Sequence, residues 1–287
     1  RPISSPGVGH RRSSRARGMA SEMNVAAVQL KCSSEQSDNF SRAAAIVHSA
    51  SQQGAELVVL PELFASLGRT SHMREVAEPL DGPTLAWAQS AAQANNCALI
   101  AGSFIERDGD ALFNTSIAVG ADGALLGSYR KIHLFDVDIE GARSKESDTF
   151  SSGTDPVVVD INGLSVGLTI CYDLRFPELF RAEAEQGADI IVVPAAFTEA
   201  TGRDHWELLL RARAVENQTL VIAAAQWGTS PDGTERHGHA LIIDAWGRVL
   251  ADTGPEADTF AEGEFDATAQ SEIRKRLPAL THRRLNR

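Results

Sequence analysis

An α/β layered fold is what this sequence predicts, on three observations. From Met23 onward, short apolar runs rich in Val and Ile alternate with longer segments whose apolar residues recur every three or four positions. Gly and Pro punctuate the joints between them. One strand-and-turn unit also occurs twice: Gly54-Ala-Glu-Leu-Val-Val-Leu-Pro-Glu-Leu-Phe64 is echoed 133 residues later by Gly187-Ala-Asp-Ile-Ile-Val-Val-Pro-Ala-Ala-Phe197.

The elements follow in order. Residues 24–30 read as a strand, and residues 35–53 as a helix with Phe40, Ala43, Ala44 and Val47 along one face. Residues 56–60 are a buried strand, and 83–95 a helix opened by Pro83, whose missing N–H costs nothing at a first turn. A strand over 97–104 comes next. Residues 111–119 and 124–130 form a hairpin around Ala121-Asp-Gly123. Residues 164–170 are apolar and β-branched, hence a buried strand, and Pro177 opens a helix to Gln186. Then come a strand at 189–193, a helix from about Arg203 to Asn217, strands at 220–225, 239–244 and 260–265, and a terminal helix. The internal echo implies a pseudo-symmetric pair of sheets. Loops after corresponding strands would then meet at one end, where α/β sheets bind ligands.

Composition narrows the function classes. No apolar run approaches the roughly 20 residues that span a bilayer. The chain carries a formal charge of −11, yet Arg1, Arg11, Arg12, Arg15 and Arg17 all precede the first acid, Glu22. Setting those five aside leaves 22 basic residues against 38 acidic ones, a formal −16. Such a body repels nucleic acid and anionic membranes, so an anionic substrate needs a local cation in its pocket. Three cysteines, Cys32, Cys97 and Cys171, are too few and too odd for a disulfide framework and fit a reducing compartment such as the cytoplasm. Residues 1–22 read as a disordered extension and 23–287 as one domain. The Arg/Ser-rich, acid-free start is also the composition of a transit peptide, which would direct the chain to mitochondria.

Three segments put reactive groups just after strands. Glu62 follows the strand at 56–60, Lys131 the strand at 124–130, and Cys171 the strand at 164–170. A Cys on a strand-to-helix turn faces the positive end of a helix, which predicts an outward thiol with a lowered pKa. Converging in a dry pocket, the carboxylate would take the thiol proton and the thiolate would attack a carbonyl or nitrile carbon. The ammonium, with the backbone N–H of Tyr172, would hold the oxyanion.

Pro61-Glu62-Leu-Phe, Tyr129-Arg-Lys131-Ile-His-Leu-Phe-Asp136 and Cys171-Tyr-Asp-Leu-Arg175-Phe-Pro-Glu178 resemble the three signature blocks of the nitrilase (carbon–nitrogen hydrolase) superfamily, in its order, with the reactive groups at separations of 69 and 40 in residue number. The resemblance covers about 23–287. It implies a four-layer αββα sandwich, no metal or other cofactor, and homodimers or higher homo-oligomers. It also implies Glu62 as base, Lys131 as oxyanion group and proton donor, and Cys171 as nucleophile. A further family glutamate falls on Glu146, with Glu140 as the competing candidate.

The segment from Thr201-Gly-Arg-Asp-His205-Trp206 to Gln218, with Ala223-Ala-Ala-Gln226, His237-Gly-His239 and Ala245-Trp-Gly247, is similar to the branch holding deaminated-glutathione amidase and ω-amidase. That branch implies a small-molecule substrate, the terminal amide of an α-keto acid or its peptide conjugate. Arg175 is the expected cation for its carboxylate, with Thr198, Tyr172 and Phe197 completing the substrate-binding set. The alternatives are ω-amidase action on α-ketoglutaramate, a true nitrilase, or a thiol sensor on Cys171. His237 and His239 form a possible metal pair without an evident third ligand. His133 and His205 are expected to hydrogen-bond structurally near the pocket.

Overall fold

Residues 22–140 and 142–285 are described by the structure, a computed structural model. The first half of the chain forms β1 (Glu22–Gln29), α1 (Gln36–Gln52), β2 (Leu57–Val59), α2 (Thr70–Val76), α3 (Pro83–Asn95), β3 (Ala98–Ile100), β4 (Phe104–Asp108), β5 (Ala111–Val119) and β6 (Leu125–Arg130). A hairpin of β7 (Asp136–Ile139) and β8 (Ala142–Lys145) leads to a 3-10 turn at Glu146–Asp148. There follow β9 (Val157–Ile161), β10 (Leu164–Leu168), a 3-10 turn at Cys171–Arg175, α4 (Pro177–Glu185), β11 (Ile190–Ala195), α5 (Glu199–Asn217) and β12 (Leu220–Ala225). The chain continues as β13 (Trp227–Thr229), β14 (Glu235–His237), β15 (Leu241–Ile243), β16 (Val249–Asp252), β17 (Thr259–Asp266) and α6 (Ala267–Arg276).

Two halves of one curled sheet repeat the same plan. In the first, β1, β2 and β3 run parallel, with β17 antiparallel outside β1 and β5 antiparallel outside β3. In the second, β10, β11 and β12 run parallel, with β9 antiparallel outside β10 and β15 antiparallel outside β12. The echoed segments are the two middle strands, β2 and β11. The halves touch where β1 meets β12 through the parallel pair Gln29–Ala225.

Alternation along β1 decides the layers. Met23, Val25 and Ala27 join the core between the sheets, whereas Ala26, Val28 and Leu30 pack with Ala43, Val47 and Ala50 of α1 and Leu85, Ala88 and Ala92 of α3. On the far side, Phe180 of α4 and Trp206, Leu210 and Ala214 of α5 cover β10, β11 and β12. The result is helix, sheet, sheet, helix: the four-layer αββα sandwich.

The structure departs from the sequence reading in places. The strand expected over 97–104 is two strands, β3 and β4, broken at Ala101-Gly102-Ser103. Gly102 has φ +44°, and a Cβ there would lie 1.9 Å from the Pro61 carbonyl oxygen. Only glycine lets that loop press against the turn that carries Glu62. The expected extension over residues 1–22 lies outside the described residues apart from Glu22, which opens β1.

Candidate active site

The reactive side chains collect at the carboxyl ends of the parallel strands, where the two halves touch. Glu62 leaves β2 on a turn whose next residue, Leu63, has φ +51° and donates its N–H to Ser103 Oγ at 2.8 Å. Lys131 directly follows β6, and its backbone N–H extends the ladder by donating to Asn114 O at 2.9 Å. Cys171 opens the 3-10 turn after β10 with φ +45°, a left-handed conformation that costs a non-glycine residue about 1–3 kcal/mol. Glu146 opens the 3-10 turn after the β7–β8 hairpin.

Glu62, Lys131 and Glu146 form one buried network. Lys131 Nζ donates to Glu62 Oε1 at 2.8 Å and to Glu146 Oε2 at 2.9 Å, with the lysine side chain only 2% exposed. Asn114 Nδ2 donates to the same two carboxylates, at 2.9 Å and 3.2 Å. The other Glu62 oxygen accepts the Ala196 N–H at 2.9 Å, and the Glu62 carbonyl accepts Gln226 Nε2. Glu146 Oε2 also accepts the Phe135 N–H at 2.6 Å.

These contacts dictate charge. Burial works against the Glu62 carboxylate, but the Lys131 charge, its hydrogen bond and the Ala196 N–H outweigh it and hold its pKa below the ordinary carboxylate value. Burial likewise opposes the Lys131 ammonium, but Glu146 and Glu62 outweigh it, and the lysine is held well above its ordinary value. The expectation of an outward thiol with a lowered pKa is overturned. Cys171 is buried, and burial together with the Glu62 charge pushes its pKa well up. A 3-10 turn separates it from α4, so the helix end does not offset those effects. At rest Glu62 is thus held as a carboxylate, Lys131 as an ammonium and Cys171 as a thiol.

A second buried knot ties the lysine loop to the cysteine turn. Asp173 Oδ2 accepts the Tyr129 hydroxyl at 2.7 Å and the Ile170 N–H at 2.8 Å. Its Oδ1 accepts the His133 N–H and pairs with His133 Nδ1 at 2.7 Å. Lys131 lies between Tyr129 and His133, so this knot sets its place against Cys171. The structural role expected of His133 is thus borne out.

The site opens into a cavity of about 370 Å³. Glu62, Lys131, Glu146 and Cys171 line it, together with Tyr172, Phe197 and Thr198. Glu140 stands exposed on the turn after β7, away from the cavity. Arg175 is not among the lining residues. It sits with its guanidinium 5.3 Å from the Phe197 ring and 5.8 Å from the Tyr172 ring and approaches His205 Nδ1 at 3.3 Å. It packs beside two aromatic residues of that lining, Phe197 and Tyr172. His237 and His239 stack, and each is engaged by a carboxylate, Glu199 and Asp252 respectively.

Sequence reasoning missed Asn114, Asp173 and Gln226 as site-building residues. A signal existed for the first: Asn114-Thr-Ser116 is a run of three polar residues, all buried, inside an otherwise apolar strand. Buried polar groups of that kind need partners: Asn114 finds Glu62 and Glu146, and Thr115 finds Glu106.

A model of the carbon–nitrogen hydrolase family matches residues 24–275. The chain belongs to that family. Among carbon–nitrogen hydrolases it is 40% identical to the deaminated glutathione amidase of Synechocystis sp. over 265 residues, covering 90% of this chain and 97% of the relative. It is equally 40% identical to the omega-amidase NIT2 of Mus musculus, covering 92% and 96%. The crystal structure of Saccharomyces cerevisiae Nit3, described as a member of branch 10 of the nitrilase superfamily, superposes with a TM-score of 0.84 at 32% identity, covering 93% of this chain and 98% of that one. As a carbon–nitrogen hydrolase, the protein is a hydrolase of carbon–nitrogen bonds other than peptide bonds.

Proposed function

We propose that this protein is an amidase that hydrolyses the terminal carboxamide of a small carboxylate-bearing substrate of the α-keto acid type, with deaminated glutathione the first choice, through a thioester on Cys171. The observation that carries this reading is the single buried network in which Lys131 bridges Glu62 and Glu146 beside Cys171. The relatives named for amide hydrolysis support the reaction class.

In this mechanism Glu62 takes the Cys171 thiol proton as sulfur attacks the amide carbon. Lys131 stabilises the oxyanion, a role that electrostatic donors fill at a worth of roughly 10²–10³ in rate. The C–N bond breaks as Glu62 returns its proton to the leaving nitrogen, so ammonia departs and a thioester remains. Water then attacks the thioester, Glu62 takes its proton, and the carboxylic acid product leaves as the thiol re-forms. Glu146 acts as a positioning residue by holding the Lys131 ammonium. A thiol with a raised pKa suits this scheme, because it deprotonates only as the base and the carbonyl carbon are both in place.

A second substrate, α-ketoglutaramate, is favoured by the equal identity to an omega-amidase. Ammonia release from deaminated glutathione and from α-ketoglutaramate separates the two. The higher kcat/KM names the substrate, and failure on both ends this reading. Cys171→Ala should release no ammonia, and mass spectrometry of wild-type enzyme quenched during turnover should find the acyl group on Cys171.

We also infer a homodimer or larger assembly. Support comes from an apolar surface on which Leu208 and Val215 of α5 are 65% and 45% exposed and Trp246 is 52% exposed. Light scattering on the purified protein tests it. The three unpaired cysteines favour a reducing compartment such as the cytoplasm.

A further inference from the structure

Four cations line the cavity: Arg69, Lys131, Lys145 and Arg236. Three have partners. Lys131 is committed to Glu62 and Glu146. Arg236 spans Asp232 Oδ2, Ser230 Oγ and the Ala196 carbonyl, all within 3.0 Å. Lys145 meets Asp148 at 2.8 Å. Among the described residues the Arg69 guanidinium has no hydrogen-bond or ion-pair partner. The lining therefore carries four cationic side chains against three acids, Glu62, Glu146 and Asp232, within a chain of formal charge −11.

The wall that carries Arg69 is braced. Arg69 is the residue before α2. The Ser66 hydroxyl contacts His72 Nε2 at 2.8 Å, and Arg74 Nη2 donates to Asp148 O at 2.8 Å, which straps α2 to the turn that begins with Glu146. These contacts fix the backbone that carries Arg69, while its side chain is exposed at the cavity. Leu63, Leu67, Met73 and Phe150 add apolar lining to the same cavity.

We propose that Arg69 selects the substrate: it takes the carboxylate of the bound amide from its place in the cavity lining, which does not include Arg175. The proposal rests on the amidase reading and deepens it. A guanidinium receives a carboxylate through two parallel N–H donors, and an unpaired one gains most by doing so. The substrate class is an amide bearing an anionic group apart from the scissile bond. A neutral amide has nothing to offer this position.

The test compares wild type, Arg69→Leu and Arg69→Lys on deaminated glutathione, α-ketoglutaramate and a neutral straight-chain amide of similar length. For Arg69→Leu, the ratio of kcat/KM on the carboxylate substrates to that on the neutral amide should fall on the order of 10–100-fold, through KM. Arg69→Lys should recover part of it, because charge remains while the two-pronged geometry is lost. Added salt should raise the wild-type KM for the anionic amides and leave the Arg69→Leu value much flatter. An unchanged ratio in Arg69→Leu, or equal losses on charged and neutral amides, overturns the proposal while leaving the amidase standing. Wild-type enzyme that releases ammonia from none of the three amides overturns both.

Discussion

The Glu62 carboxylate accepts the backbone N–H of Ala196 at 2.9 Å, so the acid that follows β2 is held by the residue that follows β11. The echoed strands thus meet in one hydrogen bond. One copy contributes a side chain and the other a peptide group. Glu62 accepts from Lys131 and Asn114 as well, and those three donors settle both its charge and its aim.

Glu62→Gln removes the proposed proton acceptor while keeping the shape. Turnover should fall by roughly 10²–10⁴, the usual worth of a positioned general base. Lys131 keeps Glu146, so thermal unfolding should shift little by comparison. Ammonia release and a melting curve on the same preparation check both halves. A variant within tenfold of wild type would remove Glu62 from the chemistry.

The raised pKa of Cys171 has a readable consequence. Burial and the Glu62 charge keep the thiol protonated at neutral pH. Alkylation by iodoacetamide in the absence of substrate should therefore be slow at pH 7 and still be rising beyond pH 9. A rate that levels off near pH 7 would mean a resting thiolate and would contradict the site's charge assignment.

Glu183 of α4 is fully buried, and among the described residues neither of its carboxyl oxygens has a hydrogen-bond partner. Burial, with the Asp173 charge beside it, pushes its pKa well above the ordinary 4.5. The sign follows from linkage. The folded state holds a proton that the unfolded chain releases above about pH 4.5, so stability is present below that value and is lost as pH rises toward the folded value. Glu183→Gln removes this penalty. Its gain in Tm over wild type should be larger at pH 8 than at pH 5. Equal differences at both pH values would mean that Glu183 does not titrate on unfolding.

Gly102→Ala places a methyl group 1.9 Å from the Pro61 carbonyl and forces a side chain onto φ +44°. Left-handed strain and overpacking cost about 1–3 kcal/mol each, so the loss of stability should be about 2–6 kcal/mol. Because Pro61 precedes Glu62, kcat should fall further than the folded fraction does. Urea unfolding alongside kcat, both scaled to folded protein, separates the two effects.

Most of the layered fold was legible because buried strands and amphipathic helices announce themselves by period. β12, α3 and β5 fall on their expected bounds. The elements that escaped are short or polar. α2 presents no buried side chain, and the β7–β8 hairpin reads Asp-Val-Asp-Ile and Ala-Arg-Ser-Lys, two four-residue strands too short and polar to stand out. Glu62, Lys131 and Cys171 were legible because each ends a strand within a recognisable block. Their brace was not. Asn114 and Asp173 act through hydrogen bonds to residues distant in the chain, and no local pattern encodes such a partner. Arg175 was expected to face the substrate because it lies four residues from Cys171; the 3-10 turn sets it beside Phe197, Tyr172 and His205, and it is not among the residues that line the cavity.

The symmetry of the sandwich also divides the chemistry between its two lobes. Glu62, Asn114, Lys131 and Glu146 come from the stretch before β9, whereas Cys171 and Ala196 come from the stretch after it. A nascent or partly unfolded chain with only one lobe in place has either an acid with no sulfur or a sulfur with no acid. On the proposed mechanism, hydrolysis therefore needs both lobes in place at once.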